Sequence, residues 1–270
     1  MTNLRISLIQ TSIVWENIEE NLCRYEEKIM PLAGKTDLVV FPEMFTTGFT
    51  MHSRAMAEPN GGLTMRTVKR WAKVGKFAVT GSFIARDGNK YYNRGFFVLP
   101  CQTVYFYDKR HLFSLGGEDK HFSPGNERLV VSFNGWNISL LICYDLRFPV
   151  WARNVDCSYD LLIVPANWPA SRKVVFQTLL MARAMENSCF VCGVNRVGTD
   201  GENLTYCGNS ALIDPRGRQL SNMTENADEI ETVTLRKDDL ECYRQKFPVW
   251  KDADSFSIER SAIHIHNKSQ

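Results

Sequence analysis

The run Leu140-Leu141-Ile142-Cys143-Tyr144-Asp145-Leu146-Arg147-Phe148-Pro149 carries an apolar strand into a cysteine, then into polar residues and a proline. A thiol at a strand end, where the chain turns sharply, is presented to a substrate as a nucleophile is. Most free cysteines are inert buried hydrophobes, so Cys143 gains a chemical role only if other segments bring it a base or a positive field. Two other strand ends can. Glu43 follows the apolar run Leu38-Val39-Val40-Phe41 and Pro42, and Lys109 follows Phe106-Tyr107-Asp108. A free thiol has a pKa of ~8.5, so Glu43 is suited to take its proton and Lys109 to supply the field. Singly, a Glu or a Lys at a strand end is an ordinary surface or ion-pair residue.

These ends must be held by a regular frame, and the chain supplies one. Apolar, β-branched residues predict a strand over 4–10. Ile18, Leu22, Tyr25, Ile29 and Leu32 recur at helical spacing behind Asn17 as N-cap, with Pro31 near the end. Further strands are expected over 37–41, 77–86, 91–99, 103–107, 161–164, 189–197, 210–213 and 229–235, and helices over 65–74 and from Val175 to Met185. Asn134-Gly135, between the apolar runs 129–133 and 136–142, is a hairpin signal. Strands arranged both in βα alternation and in hairpins predict an α/β fold with a mixed sheet, or two sheets covered by helices.

The chain has 270 residues, 44% hydrophobic and 23% charged, which suits a globular protein rather than a disordered or fibrous one. Length alone allows two domains, but no linker, repeat or low-complexity stretch interrupts it, so one domain over 1–252 and a polar tail over 253–270, contacting a partner copy or flexible, are expected. A net charge of +2 provides no general attraction to nucleic acid or an anionic membrane. No apolar run approaches the ~20 residues of a membrane span, and the N-terminus lacks the pattern of a signal peptide. A cytoplasmic protein with its eight cysteines mostly reduced is expected.

The segments around Glu43, Lys109 and Cys143, in that order, resemble the Glu, Lys and Cys signatures of the nitrilase (carbon-nitrogen hydrolase) superfamily. The likeness extends through Ser123-Pro124-Gly125-Asn126, Pro165-Ala166-Asn167-Trp168-Pro169, Ala182-Arg183-Ala184-Met185-Glu186-Asn187 and Asn209-Ser210. Within the superfamily, Phe148-Pro149-Val150-Trp151, Asn195-Arg196-Val197-Gly198 and Lys246-Phe247-Pro248-Val249-Trp250 are most similar to the bacterial omega-amidases, which hydrolyse the side-chain amides of 2-oxoglutaramate and 2-oxosuccinamate. Val150 stands where many relatives carry Glu. The resemblance implies a four-layer αββα sandwich of two mixed sheets, a homodimer paired through the face of the Cys motif, and no metal or organic cofactor. It adds Glu118 as a second acidic residue, with Asp119 the neighbour onto which the alignment could slip.

The implied chemistry is amide hydrolysis through a thioester on Cys143, with the Tyr144 backbone N–H and Lys109 holding the oxyanion. Asn167 and Trp168 follow a strand end and are expected at the pocket, and Arg172, Arg147 and Arg196 are the candidates to meet a substrate carboxylate. Other readings are a superfamily hydrolase of N-carbamoyl amino acids, other small amides or nitriles, or a non-catalytic dimeric scaffold. Cys189-x-x-Cys192 lies in an apolar β run, where positions three apart face opposite ways and do not make a metal site. His264-x-His266 is read as part of the solvated tail.

Overall fold

Apolar residues alternate along β1 (Asn3–Gln10), and the sides they take define the layers of the molecule. The computed structural model describes residues 2–258. In α1 (Ile18–Ile29) the Asn17 side chain accepts the Glu20 amide N–H at 3.1 Å, and Leu22, Tyr25 and Ile29 lie on the buried face. Pro31 falls in a single 3-10 turn after the helix. The first half continues with β2 (Leu38–Val40), the short α2 (Ser53–Met56), β3 (Glu58–Pro59), α3 (Leu63–Gly75), β4 (Ala78–Asp87), β5 (Lys90–Val98), β6 (Val104–Asp108) and the one-turn α4 (Glu118–His121). The second half comprises β7 (Val130–Phe133), β8 (Trp136–Leu140), α5 (Pro149–Ala152), β9 (Leu161–Ala166), α6 (Lys173–Glu186), β10 (Phe190–Asn195), β11 (Val197–Thr199), β12 (Thr205–Cys207), β13 (Ala211–Ile213), β14 (Glu229–Arg236) and α7 (Lys237–Lys246).

One sheet runs β14-β1-β2-β4-β5-β6, with β3 also paired to β4; the second runs β13-β10-β9-β8-β7. Both are mixed. The β1, β2 and β4 neighbours are parallel, as are β8, β9 and β10; β14, β5 and β6 in the first sheet and β7 and β13 in the second pair antiparallel. Leu4, Ile6 and Leu8 join Leu38 and Val40 in the core shared with β8, β9 and β10, whereas Ile9, Val39 and Val79 turn to the core under α1 and α3. α6 packs on the far side of the second sheet through Phe176 and Leu180. The order is therefore helix, sheet, sheet, helix: an αββα sandwich. Gly95 lets the sheets approach, since a Cβ there would stand 2.8 Å from Leu140 Cδ2.

The hairpin at Asn134-Gly135 has positive φ at both residues, 47° and 74°, as a two-residue type I′ turn requires. The strand expected over 189–197 divides: β10 pairs in the second sheet, while β11 leaves at Arg196 to form a separate ribbon with β12. α7 was not expected from its pattern, because only Leu240 is buried. It is held by ion pairing instead, Arg244 donating to Asp160 at 2.8 Å and to the carbonyls of Ser188 and Tyr159. Residues 253–258 are exposed and belong to no element; residues 259–270, with His264 and His266, lie outside the described residues.

Candidate active site

The carboxyl ends of β2, β6, β8 and β9 lead into Glu43, Lys109, Cys143 and Asn167, respectively. Past β2, Phe41 and Phe45 stack at 4.7 Å in the core beneath α1 and α3. Their amides bond the Thr80 and Ser82 carbonyls at 2.8 and 3.1 Å. Glu43, pinned between them, reaches the second sheet, where the Asn167 amide N–H donates to its Oε2 at 2.9 Å. Lys109 prolongs the β5–β6 pairing, its amide bonding the Asn93 carbonyl at 3.0 Å.

Lys109 Nζ lies 2.8 Å from Glu43 Oε1, and 2.9 and 2.8 Å from the two oxygens of Glu118. All three side chains are buried. Asp119, by contrast, is exposed. Asn93 Nδ2 joins the carboxylates, donating to Glu43 Oε1 at 2.8 Å and Glu118 Oε1 at 3.0 Å, and Ser82 donates in turn to Asn93 Oδ1. The Phe113 amide N–H completes Glu118 at 2.6 Å. Glu118 thus takes two donors on each oxygen, whereas Glu43 takes two on Oε1 and one on Oε2, leaving one side-chain acceptor position open.

Burial opposes the charge on Lys109, but the Glu118 and Glu43 carboxylates outweigh it and hold the ammonium above its ordinary range. Burial and the Glu43 charge raise the Glu118 carboxyl above its usual value, against the pull of Lys109.

Cys143 sits in left-handed backbone, φ 42°, a strained conformation for a residue with a side chain. Asp145 N–H returns to the Ile142 carbonyl and closes the turn, and the Tyr144 amide has no acceptor among the described residues. Cys143 is nearly buried, its Sγ 3.9 Å from the Asn167 carbonyl. Burial and the Glu43 carboxylate push the thiol well above its normal pKa, against the pull of Lys109. The direction of that shift favours the neutral thiol.

Thiolate, the alkylating species, accumulates only as pH rises through the folded pKa. Cys143 alkylation by iodoacetamide, followed by peptide mass analysis, is therefore expected to climb without a plateau up to about pH 9, while a small thiol levels off past its pKa of ~8.5. A plateau near pH 6–7 would mean a thiolate at rest. The same upward shift makes this thiol's contribution to stability fully present below the unfolded pKa of ~8.5 and lost as pH rises toward the folded value.

Lys109, Cys143 and Asn167 line a cavity of about 350 Å³, with Tyr144, Arg147, Trp168 and Arg172 among its walls. Arg147 lies over the rings of Trp168 (5.0 Å) and Tyr144 (5.9 Å), and Arg172 over Phe113 (5.4 Å). Among the described residues neither guanidinium pairs with a carboxylate.

Arg196 corrects the sequence reading. It is wholly buried, donates to the carbonyls of Ile13, Val197 and Thr199, and does not line the cavity. It departs from β10 behind the pocket wall, stacked under Tyr206 at 4.7 Å. Trp15, Phe49, His52, Asp200 and Tyr206 line the cavity without having been singled out, as they come from loops and the short ribbon. Asn93 had a signal, an amide inside the strand Tyr91-Tyr92-Asn93-Arg94-Gly95-Phe96-Phe97.

The carbon-nitrogen hydrolase family model matches residues 5–245. The omega-amidase YafV of Escherichia coli (strain K12) is 40% identical over 267 residues, covering 96% of this chain and 100% of that protein. The 2-oxoglutaramate amidase of Bacillus subtilis (strain 168) is 34% identical over 220 residues, 80% of this chain and 85% of that one. Among solved structures, XC1258 from Xanthomonas campestris, a CN-hydrolase superfamily protein with an arsenic adduct in its active site, superposes with a TM-score of 0.94 at 40% identity, covering 96% of this chain and 100% of that one.

Proposed function

The chain belongs to the carbon-nitrogen hydrolase family, and from that premise we propose that it is an omega-amidase, releasing ammonia from the distal amide of a small 2-oxo dicarboxylic monoamide such as 2-oxoglutaramate or 2-oxosuccinamate. One observation carries this reading: a single small cavity is lined by the Cys143 thiol, by the Lys109 ammonium, which two buried carboxylates flank, and by two guanidinia without carboxylate partners among the described residues. An amide with an anionic far end meets both.

In this reading Glu43, which has an acceptor position to spare, is the base, and Glu118, whose positions are filled, fixes Lys109. Glu43 takes the Cys143 proton as sulfur bonds to the amide carbon, and the carbonyl electron pair moves onto oxygen. The Tyr144 N–H and Lys109 hold that oxyanion. Lys109 is already surrounded, but one shared proton can serve both oxygens of Glu118, which frees another to turn to the substrate. Protonated Glu43 then delivers its proton to the leaving nitrogen as the C–N bond breaks, ammonia departs, and a thioester remains on Cys143. Water, deprotonated by Glu43, adds to the thioester; collapse expels the sulfur, which recovers the proton, and frees the carboxylic acid. Asn167 Oδ1, buried without a partner, is the acceptor assigned to the substrate amide N–H.

Ammonia release across a panel of 2-oxo dicarboxylic monoamides, neutral amides of matched length, N-carbamoyl amino acids and nitriles tests the assignment. The 2-oxo monoamides are expected to have the highest kcat/KM. Arg172→Ala should lower it for them by about 10–100-fold, the worth of one charged hydrogen bond, and leave neutral amides nearly unchanged. Preference for an N-carbamoyl compound or a nitrile, or equal loss on charged and neutral amides, contradicts the substrate assignment.

A further inference from the structure

Asp145 stands two residues past the nucleophile, fully buried, outside the cavity and unused by the chemistry above. Its two oxygens nevertheless receive two main-chain and two side-chain groups. Oδ2 accepts the Ile142 amide N–H at 3.1 Å and the Tyr107 phenol at 2.7 Å. Oδ1 accepts the His111 amide N–H at 2.8 Å and lies 2.8 Å from His111 Nδ1. Ile142 immediately precedes Cys143. Tyr107 and His111 flank Lys109 at two residues on either side, the first within β6 and the second in the bend that follows it. A single carboxylate therefore ties the nucleophile's turn in the second sheet to both sides of the ammonium's anchor in the first.

Two more contacts close the frame. Trp151, from the helix that follows the turn, donates its indole N–H to the Tyr107 oxygen at 3.0 Å. Phe148, at the end of the turn, stacks on the His111 ring at 3.7 Å and 7°. Of these ties, those through Asp145 attach closest to Cys143, and they act directly on its left-handed turn, a conformation that persists only where its surroundings impose it.

We propose that Asp145 is a positioning residue for the reaction, its carboxylate setting the separation and direction of Cys143 relative to Lys109. The proposal rests on the catalytic roles given above to those two residues. Acting on geometry at the floor of the cavity and not on the substrate's far end, it governs the rate of the chemical step and leaves binding nearly alone. Asparagine in its place keeps the size but sets an N–H where one pair of donors now finds an acceptor, so the turn loosens.

Asp145→Asn, Tyr107→Phe and the double variant are compared with the wild-type chain for melting, for kcat and KM of ammonia release, and for the rate of Cys143 alkylation by iodoacetamide. A shift on the order of 1 Å at a reacting group costs about 10²-fold, so Asp145→Asn should lower kcat by about that factor with KM within about 3-fold, and the double variant should be no worse than Asp145→Asn alone. In a variant still folded at the assay temperature, alkylation of the loosened, less buried thiol should rise, opposite in direction to turnover.

If Asp145→Asn does not fold, Tyr107→Phe decides. A kcat more than about 3-fold down at unchanged KM supports the tie, and a smaller change overturns it. Retention of kcat within about 3-fold in folded Asp145→Asn also overturns it. Should the wild-type chain release no ammonia from any panel member, the substrate assignment fails; the alkylation comparison, which needs no amide, then supports the tie if the rate rises and overturns it if the rate is unchanged.

Discussion

Cys143→Ala is expected to remove ammonia release altogether, a loss on the order of 10⁵–10⁶ in kcat, because no other group in the cavity can form the covalent intermediate. Glu43 could still activate a water molecule, but that water would start outside the bond-forming position that the turn gives to sulfur. The fold should survive. Alanine retains the Cβ, so the cost of the left-handed backbone at φ 42° is shared by both residues and does not change. Only a sulfur in weak contact with the Asn167 carbonyl is lost, which puts the destabilisation on the order of 1 kcal/mol. Cys143→Ser should be as inactive on the same grounds: its hydroxyl, less acidic than the thiol, would face the same burial and the same Glu43 carboxylate. Ammonia release read beside the melting curve checks both. A folded Cys143→Ala protein that keeps even a thousandth of wild-type turnover would assign the reaction to another group, and intact-mass detection of an acyl adduct in the wild type but not in the variant locates the intermediate.

The parts of the site carried by a rigid frame were legible in the sequence, and those defined by its surroundings were not. Strand ends are written locally, as an apolar run that stops at a proline or a charged residue, and three such stops brought Glu43, Lys109 and Cys143 to view. Their convergence follows from topology: β2, β6 and β8 discharge at one end of two sheets packed face to face. Asn93 was missed because its role is to bridge Glu43 and Glu118, and the latter lies on a one-turn helix beyond any periodic pattern. Arg196 misled for a related reason. It sits in a motif at the end of β10, but the chain crosses there from the second sheet into the ribbon, carrying the side chain behind the wall instead of into the cavity. α7 escaped notice because ion pairs to Asp160 hold it where an apolar stripe ordinarily would.

Lys109→Met is expected to cost both activity and stability, and the two losses should separate on a second substitution. The ammonium stands between two buried carboxylates, so its removal leaves like charges facing each other at low dielectric. Removing one partner of a buried ion pair costs about 3–5 kcal/mol, visible as a lower midpoint in denaturant. Turnover should fall by about 10²–10³ or more, because the oxyanion loses its cationic donor and keeps only the Tyr144 N–H. Adding Glu118→Gln to Lys109→Met removes one of the opposed charges and should recover much of the stability while recovering none of the turnover. Glu43→Gln joined to Lys109→Met should be little worse than the more severe single change, since base and clamp serve one transition state. Stability unmoved by Lys109→Met would mean that the cluster is hydrated in solution and the carboxylates are not held in opposition. Additive losses from Glu43 and Lys109 would place them in separate steps, and their 2.8 Å contact would then be an accident of packing.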